Sequence, residues 1–461
     1  MTTGEHYRVL AEKLAEGEKC VIWAERGSNI TPARAANIAG TYDRYIYQKI
    51  VNAFGLTNFS FEGNDFDTIM DFSSWLVRGD GKLTILLLDI IDGYNKSGDS
   101  FIAGYFQPGN FYPRSDWRYS NQTDMIYVDT HPALSLHPQE TYSTLAHELQ
   151  HLINFVTSVC LREATMDTWI DEGLSCQAEF LYFEQHPQIR YEWFIEDPAG
   201  TIAQGNNFFV WGNYPDVPNA ILDEYATVYL FFQWLYLQVD EISRPRLFYD
   251  IASSRYADYR AITDVAKKIN PQWDDWEVLL RTWLAANYIN DPVNEYGYKS
   301  DPALKDIKVK TTNGNSQRKV SLYPGEGVYS IIGLPSSYSP PAGSGGNIRY
   351  AGINKSSATL NNTAPYTGNV LLTFNPNIPD KENNKISAAD VESGYVTGNS
   401  AGTPISAGGA RAASASAEAA AAEASGLSNF GPLVLDARDM LGRHWETDLF
   451  KTLSKKYTQC E

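Results

Sequence analysis

Cysteine is scarce in this chain of 461 residues, with four in all: Cys20, Cys160, Cys176 and Cys460. Four are too few for a disulfide-stapled scaffold. Cys160 and Cys176 are close enough in sequence either to bridge or to remain separate buried thiols. Cations are in deficit too: Lys+Arg 37 against Asp+Glu 55 gives a net charge of −18 and a pI near 4.9. Binding to nucleic acid needs clustered cations, and so does docking on anionic lipid, so both roles are disfavoured. Long apolar runs are missing. Residues 83–91 include Asp89 and residues 226–239 are broken by Gln233, whereas a membrane-spanning helix wants roughly 20 apolar residues. No basic stretch followed by an apolar one opens the chain, so no export signal is visible.

What is present is enough for a large core. The apolar share is 43% and charged residues are only 20%, which argues against a wholly disordered chain. The length suits about three domains, or one large domain with additions.

Three regions differ in character. Residues 1–137 read as an α/β lobe. Apolar residues three and four apart between Tyr7 and Ala15, and again over residues 42–54, predict helices. Residues 20–24, 83–90, 101–106 and 125–128 read as strands, with 83–90 apolar enough to be buried on both faces. Residues 138–300 are dominated by helical patterns at 138–159, 168–185, 223–239, 244–254, 259–269 and 274–289, the first opened by Pro138. Residues 301–461 read as β-rich. Short segments at 307–312, 319–322, 327–332, 347–353 and 370–374 are separated by Gly, Pro, Asn and Ser. An Ala/Ser/Gly-rich segment at 401–426 interrupts this part, either as a mobile insertion or as a helix around 415–424. A strand pattern resumes at 429–436.

The chemistry concentrates in Ser143-Thr-Leu-Ala-His147-Glu148-Leu-Gln-His151-Leu-Ile-Asn-Phe155. On a helix, His147 and His151 lie on one face a turn apart, so both imidazoles reach one ion. Glu148 stands beside the pair, placed to bond a water rather than the metal. Leu145, Leu149, Leu152 and Val156 lie on the other side and anchor the helix. With 7 histidines in 461 residues, chance yields roughly 0.006 such His-Glu-x-x-His matches in the chain. A zinc hydrolase needs a third protein ligand and an open fourth position. Trp169-Ile-Asp-Glu172-Gly-Leu-Ser175 opens a second helix, and Glu172 is the candidate. Its plain alternative is an acidic residue favoured by the helix dipole. A continuation His-x-x-Gly-x-x-His is excluded, because Asn154 and Thr157 stand where Gly and His would be.

These segments resemble the hyicolysin-like zinc metallopeptidases of bacteria, within the gluzincin group that includes thermolysin and the large zinc aminopeptidases. The resemblance extends upstream through Ala103-Gly-Tyr-Phe106 and Thr123-Asp-Met-Ile-Tyr-Val-Asp129. Downstream it reaches Tyr225-Ala-Thr-Val-Tyr-Leu-Phe231. It covers residues 100–240 well and 1–300 loosely. It implies an α+β, thermolysin-like catalytic domain, a mixed-sheet lobe plus a helical lobe, followed here by the β-rich C-terminal part. It implies Zn2+ bound by His147, His151 and Glu172, with Glu148 as general base in peptide hydrolysis. The Gly-x-Met-Glu-Asn stretch by which zinc aminopeptidases capture a free amine is absent, which favours an endopeptidase.

Zinc lowers the pKa of bound water toward about 7, and a base then takes the proton as water attacks the scissile carbonyl. A second donor to the developing oxyanion is usual. Tyr225 and Tyr229 are candidates, and Tyr225 matches the family segment better; the alternative is a core tyrosine with a satisfied hydroxyl. Glu179 lies two turns after Glu172 and Asp171 is adjacent, so either can support a ligating histidine from behind. His131, His137 and His186 each neighbour a proline and read as surface or turn residues. The partner class is a protein or peptide substrate that adds as a strand to a sheet edge near Phe106 or Tyr127. The resemblance favours secretion or attachment at the cell envelope. Two rivals are carried: an inactive peptidase-like adhesion protein acting through its C-terminal part, and an aminopeptidase-like exopeptidase.

Overall fold

A computed structural model describes residues 7–55, 81–378 and 392–398, apart from residues 93, 96–100, 113, 116, 161, 163, 206–208, 210–216, 218, 314–315 and 341–345. The Ala/Ser/Gly-rich segment 401–426, its helix around 415–424, the strand pattern at 429–436 and Cys460 lie outside the described residues.

The first unit is a mixed five-stranded sheet of β1 (Ala11–Glu16), β2 (Cys20–Glu25), β3 (Leu83–Leu88), β4 (Gly104–Phe106) and β5 (Met125–Asp129), in the order β1-β2-β3-β5-β4. β3 runs parallel to both β2 and β5, and all six residues of Leu-Thr-Ile-Leu-Leu-Leu are buried, as a central parallel strand requires. β4 closes one edge antiparallel to β5, with Gly104 opposite Val128. Helices α1 (Pro32–Thr41) and α2 (Gln48–Phe54), joined by a π-helical turn, contribute to the core on one face.

The helix expected between Tyr7 and Ala15 is not formed; its residues supply β1 instead. A bulge between Lys13 and Ala15 breaks the pairing register with β2. Leu14 and Ala15 therefore both pack on the helix-covered face, while Ala11 packs on the other. The bulge produces apolar spacings that imitate a helix period.

The helical block comprises α3 (Pro138–Asn154), α4 (Thr168–Phe183), α5 (Gln188–Glu196), α6 (Ala220–Gln238), α7 (Leu247–Ala252), α8 (Tyr259–Ile269) and α9 (Trp276–Ile289). α5 was not foreseen from the sequence. Its aromatic and charged residues show almost no helical periodicity, and only Arg190 and Phe194 are buried. The aromatic-rich helices α6 and α9 are core: Phe231, Phe232, Trp234 and Trp283 are wholly buried.

Strands then take over. β8 (Gly327–Tyr338), β9 (Arg349–Asn354), β10 (Thr359–Asn361) and β11 (Tyr366–Phe374) join the short β6 (Thr312–Asn313) in a five-stranded sheet, and β7 (Ser316–Leu322) pairs with β12 (Glu392–Gly398). This β-rich part is fastened to the helices. The Tyr329 hydroxyl donates to the Leu284 carbonyl at 2.7 Å, Gly327 N donates to Gly205 O at 2.7 Å and Arg349 Nε bonds Glu277 at 3.0 Å.

Cys160 and Cys176 do not bridge; with Cys20 they are free, buried thiols. Burial pushes the thiols of Cys160 and Cys176 well above their ordinary range. No helix among the described residues is long and apolar enough to cross a membrane.

Candidate metal centre

α3 starts at Pro138 and is buried from Ser143 to Asn154, so its histidines cannot be incidental surface groups. Leu145, Leu149 and Leu152 fix it in the core. α4 crosses it and presents Glu172 opposite the two imidazoles. His147 Nε2 and His151 Nε2 each lie 3.4 Å from Glu172 Oε2. The two rings stand edge to face, with centroids 4.7 Å apart. All three donor atoms lie within 4.8 Å of one another.

These separations fit a metal. Zinc ligands about 2.0–2.1 Å from the ion at tetrahedral angles stand about 3.3–3.4 Å apart. Two imidazoles and one carboxylate, leaving a coordination position open, make a catalytic type of donor set rather than a closed structural one.

Each histidine is held from behind by a carboxylate. His147 Nδ1 lies 2.8 Å from Glu179 Oε1 and His151 Nδ1 lies 3.0 Å from Asp171 Oδ1. With Nδ1–H donating there, both rings turn Nε2 toward Glu172. The structure thus brings Glu179 and Asp171 behind the two rings. Further residues close the ring of support, and the sequence reading gave them no role in it. Asn154 Nδ2 donates to Asp171 Oδ1 at 2.6 Å. Ser175 Oγ donates to Gln150 Oε1 at 2.5 Å and lies 2.9 Å from His151 Nδ1. Their helical spacing was the available signal: Asn154 falls three residues after His151, and Ser175 three after Glu172, on the same helix faces.

Burial works against an imidazolium at His147, but its bonds to Glu172 and Glu179 outweigh this and raise its pKa above the ordinary 6.5. A proton therefore competes with a metal for this ring. Glu179 is buried, which disfavours its charge, yet Arg190 and His147 hold its carboxyl below the usual range.

Glu148 is wholly buried and follows His147 on α3. The edge strand β4 passes directly over it. A Cβ on Gly104 would lie 2.7 Å from Thr144 Cγ2 and 3.6 Å from Glu148 Cγ, so only glycine lets the strand approach this closely. Among the described residues β4 pairs with β5 alone. Phe106 is buried in a cluster with Phe111 and Phe155. The Tyr127 hydroxyl accepts from Asn110 at 2.9 Å and Asn121 at 2.7 Å, tying down the loop after β4.

The two candidate tyrosines diverge. Tyr225 is wholly buried and its ring lies 6.2 Å from that of His147. The Tyr229 hydroxyl is taken by His186 Nδ1 at 2.7 Å, and His186 Nε2 meets Asp301 Oδ2 at 3.1 Å. His186 is thus not a surface residue: its side chain is 9% exposed. It ties α6 to the segment leading into the β-rich part. His131, by contrast, is exposed, and His137 stacks on Phe101 before α3 begins.

No family model matches the chain. The chain is similar to the neutral metalloprotease ShpI of Staphylococcus hyicus, 28% identical over 318 residues. The match spans 67% of this chain and 66% of that protein's length. This similarity supports a metallopeptidase family.

Proposed function

We propose that the chain is a zinc-dependent metallopeptidase of gluzincin type that cleaves within peptide chains. The observation that carries this reading is the convergence of His147, His151 and Glu172 at 3.4 Å, with Glu148 beside them. The similarity to a metalloprotease supports it independently. A zinc ion held by these three residues would act as a Lewis acid, polarising a scissile carbonyl and acidifying water. Glu148 takes the proton of the attacking water and returns it to the leaving amine. Glu179 and Asp171 keep the imidazoles oriented. Tyr225 is assigned as donor to the carbonyl oxygen on which charge develops. An extended peptide adds antiparallel to β4, which brings its backbone across Glu148. In this reading residues 1–137 and 138–300 are the two lobes of a thermolysin-like catalytic unit, and residues 301–461 are an appendage to it. Secretion or attachment at the cell envelope rests on the family resemblance alone.

The test is hydrolysis of a mixed fluorogenic peptide pool by wild type and Glu148→Gln, with products mapped by mass spectrometry. Internal cleavage by wild type, falling at least roughly a hundredfold in the variant and lost on chelation, is expected. Equal cleavage by the variant rejects the base. Release of single N-terminal residues only turns the reading toward an exopeptidase. A folded, zinc-loaded wild type that cleaves nothing in the pool favours the inactive adhesion-type reading.

A further inference from the structure

α5 has one feature that the proposed reaction does not use. Arg190 is buried in the protein interior, its side chain 2% exposed. Burying a guanidinium is costly unless an opposite charge meets it closely. Here its Nη2 donates to Glu179 Oε1 at 2.6 Å and its Nε lies 3.2 Å from Glu179 Oε2. The same Glu179 Oε1 receives His147 Nδ1 at 2.8 Å. The guanidinium carbon also sits 4.9 Å from the ring centroid of Tyr225. Four helices are linked here: Arg190 of α5 meets Glu179 of α4 and Tyr225 of α6, and Glu179 in turn meets His147 of α3.

Resting on the metallopeptidase reading, we infer that Arg190 is a positioning residue for the metal centre. Its two-pronged grip fixes the plane of the Glu179 carboxylate, which fixes the His147 imidazole and aims Nε2 at the ion. A planar fork is needed, because one carboxylate must be met by two parallel bonds while the flat face lies on a ring. Lysine supplies the charge but neither the fork nor the face. Without Arg190, Glu179 can rotate about its side-chain bonds, and the ring it supports is no longer held in one orientation. Stacking on Tyr225 ties the proposed oxyanion donor to the same support. The metal ligand and that donor then keep a common register when α5 or α6 shifts.

The test measures zinc affinity of the apoprotein by competition with a chromophoric chelator, together with the visible spectrum of the cobalt(II) form. Arg190→Met and Glu179→Gln are each expected to weaken zinc binding about 10–100-fold, and the double variant to bind no more weakly than Glu179→Gln alone. The cobalt(II) bands of Arg190→Met are expected to move as they do in Glu179→Gln, and Arg190→Lys to recover part of both losses. Circular dichroism and the melting temperature of each apoprotein separate this from unfolding. If Arg190→Met does not fold, Arg190→Lys carries the test, with a loss of roughly tenfold. Folded Arg190 variants that keep wild-type affinity and spectrum overturn the inference. So do losses that multiply in the double variant. A wild-type apoprotein that binds no zinc overturns the metallopeptidase reading itself, a result distinct from either.

Discussion

Tyr225 neighbours His147 and Asp171 bonds His151, and the two should fail in different ways. Tyr225 is not one of the three candidate ligands; its ring lies 6.2 Å from the His147 ring. If its hydroxyl donates to the developing oxyanion, Tyr225→Phe lowers kcat at least roughly tenfold and leaves the zinc content unchanged. Turnover close to wild type would assign Tyr225 to the core instead. Asp171 bonds His151 and Asn154, so Asp171→Asn should weaken zinc binding about tenfold or more and affect kcat only through metal loss. Full kcat at saturating zinc, with a raised zinc requirement, is the expected pattern; a lowered kcat at full occupancy would give Asp171 a different role. At this scale the sequence was most informative where the chemistry is local. His147, Glu148 and His151 share one helical turn, so their spacing alone brings them together. Asn154 and Ser175 carry only a weak mark, the three-residue spacing from His151 and Glu172, while Arg190 reaches the centre from a helix whose neighbours only the packing decides, and no short-range pattern marks it.

Among the elements, the crossing of α4 and α6 decides where Glu172 sits. Gly173 follows Glu172, and a Cβ there would lie 2.3 Å from Phe232 Cε2. Two effects oppose each other in Gly173→Ala. Helix propensity alone favours alanine by about 1 kcal/mol. Overpacking against a buried ring costs about 1–3 kcal/mol, and Phe232 is wholly buried. The clash should win, lowering the melting temperature by a few degrees and weakening zinc binding as Glu172 is displaced. A raised melting temperature would show that propensity governs and that the helices can part without cost. The elements that were legible in the sequence are those with their own periodicity and caps. α3, α8 and β3 announce themselves by an opening Pro138, a strongly amphipathic face and a run that is apolar but for Thr84. β1 and α5 do not. β1 is an edge strand of Ala, Glu and Lys with the single Leu14, held by its pairing with β2, and α5 follows Pro187 with little apolar patterning. Tertiary contacts, not local preference, make both.

At the scale of the molecule, the helical block and the β-rich part meet beside a buried pair of carboxyl groups. Asp223, in the first turn of α6, accepts from Trp193 Nε1 at 2.6 Å and from the Thr201 amide at 3.0 Å. Asp197 accepts from the amides of Ile202 and Ala203, and Lys310 from the segment before β6 reaches it at 3.5 Å. The two carboxyls are within hydrogen-bond reach of each other, and the Lys310 charge lies against Asp197. Burial first, and then the Asp197 charge, push the Asp223 pKa up to about 8, while burial raises Asp197 as well, against Lys310. The pair thus retains a proton near neutral pH. The unfolded chain releases that proton near the ordinary value of 3.8, whereas the folded chain keeps it until about pH 8. Between these limits the folded state binds more protons, so its stability falls as pH rises, by up to about 1.4 kcal/mol per pH unit for one proton. Above about pH 8 this contribution has gone. Denaturant unfolding of wild type from pH 5 to 9 should show the decline, and Asp223→Asn, which has no proton to lose there, should show a shallower one from a lower start. Parallel profiles for the two proteins would place the alkaline weakening in the overall negative charge rather than in this pair. Because Gly205 O accepts from Gly327 N at the same junction, the weakening should show first in the attachment of the β-rich part, as faster amide exchange at Gly327.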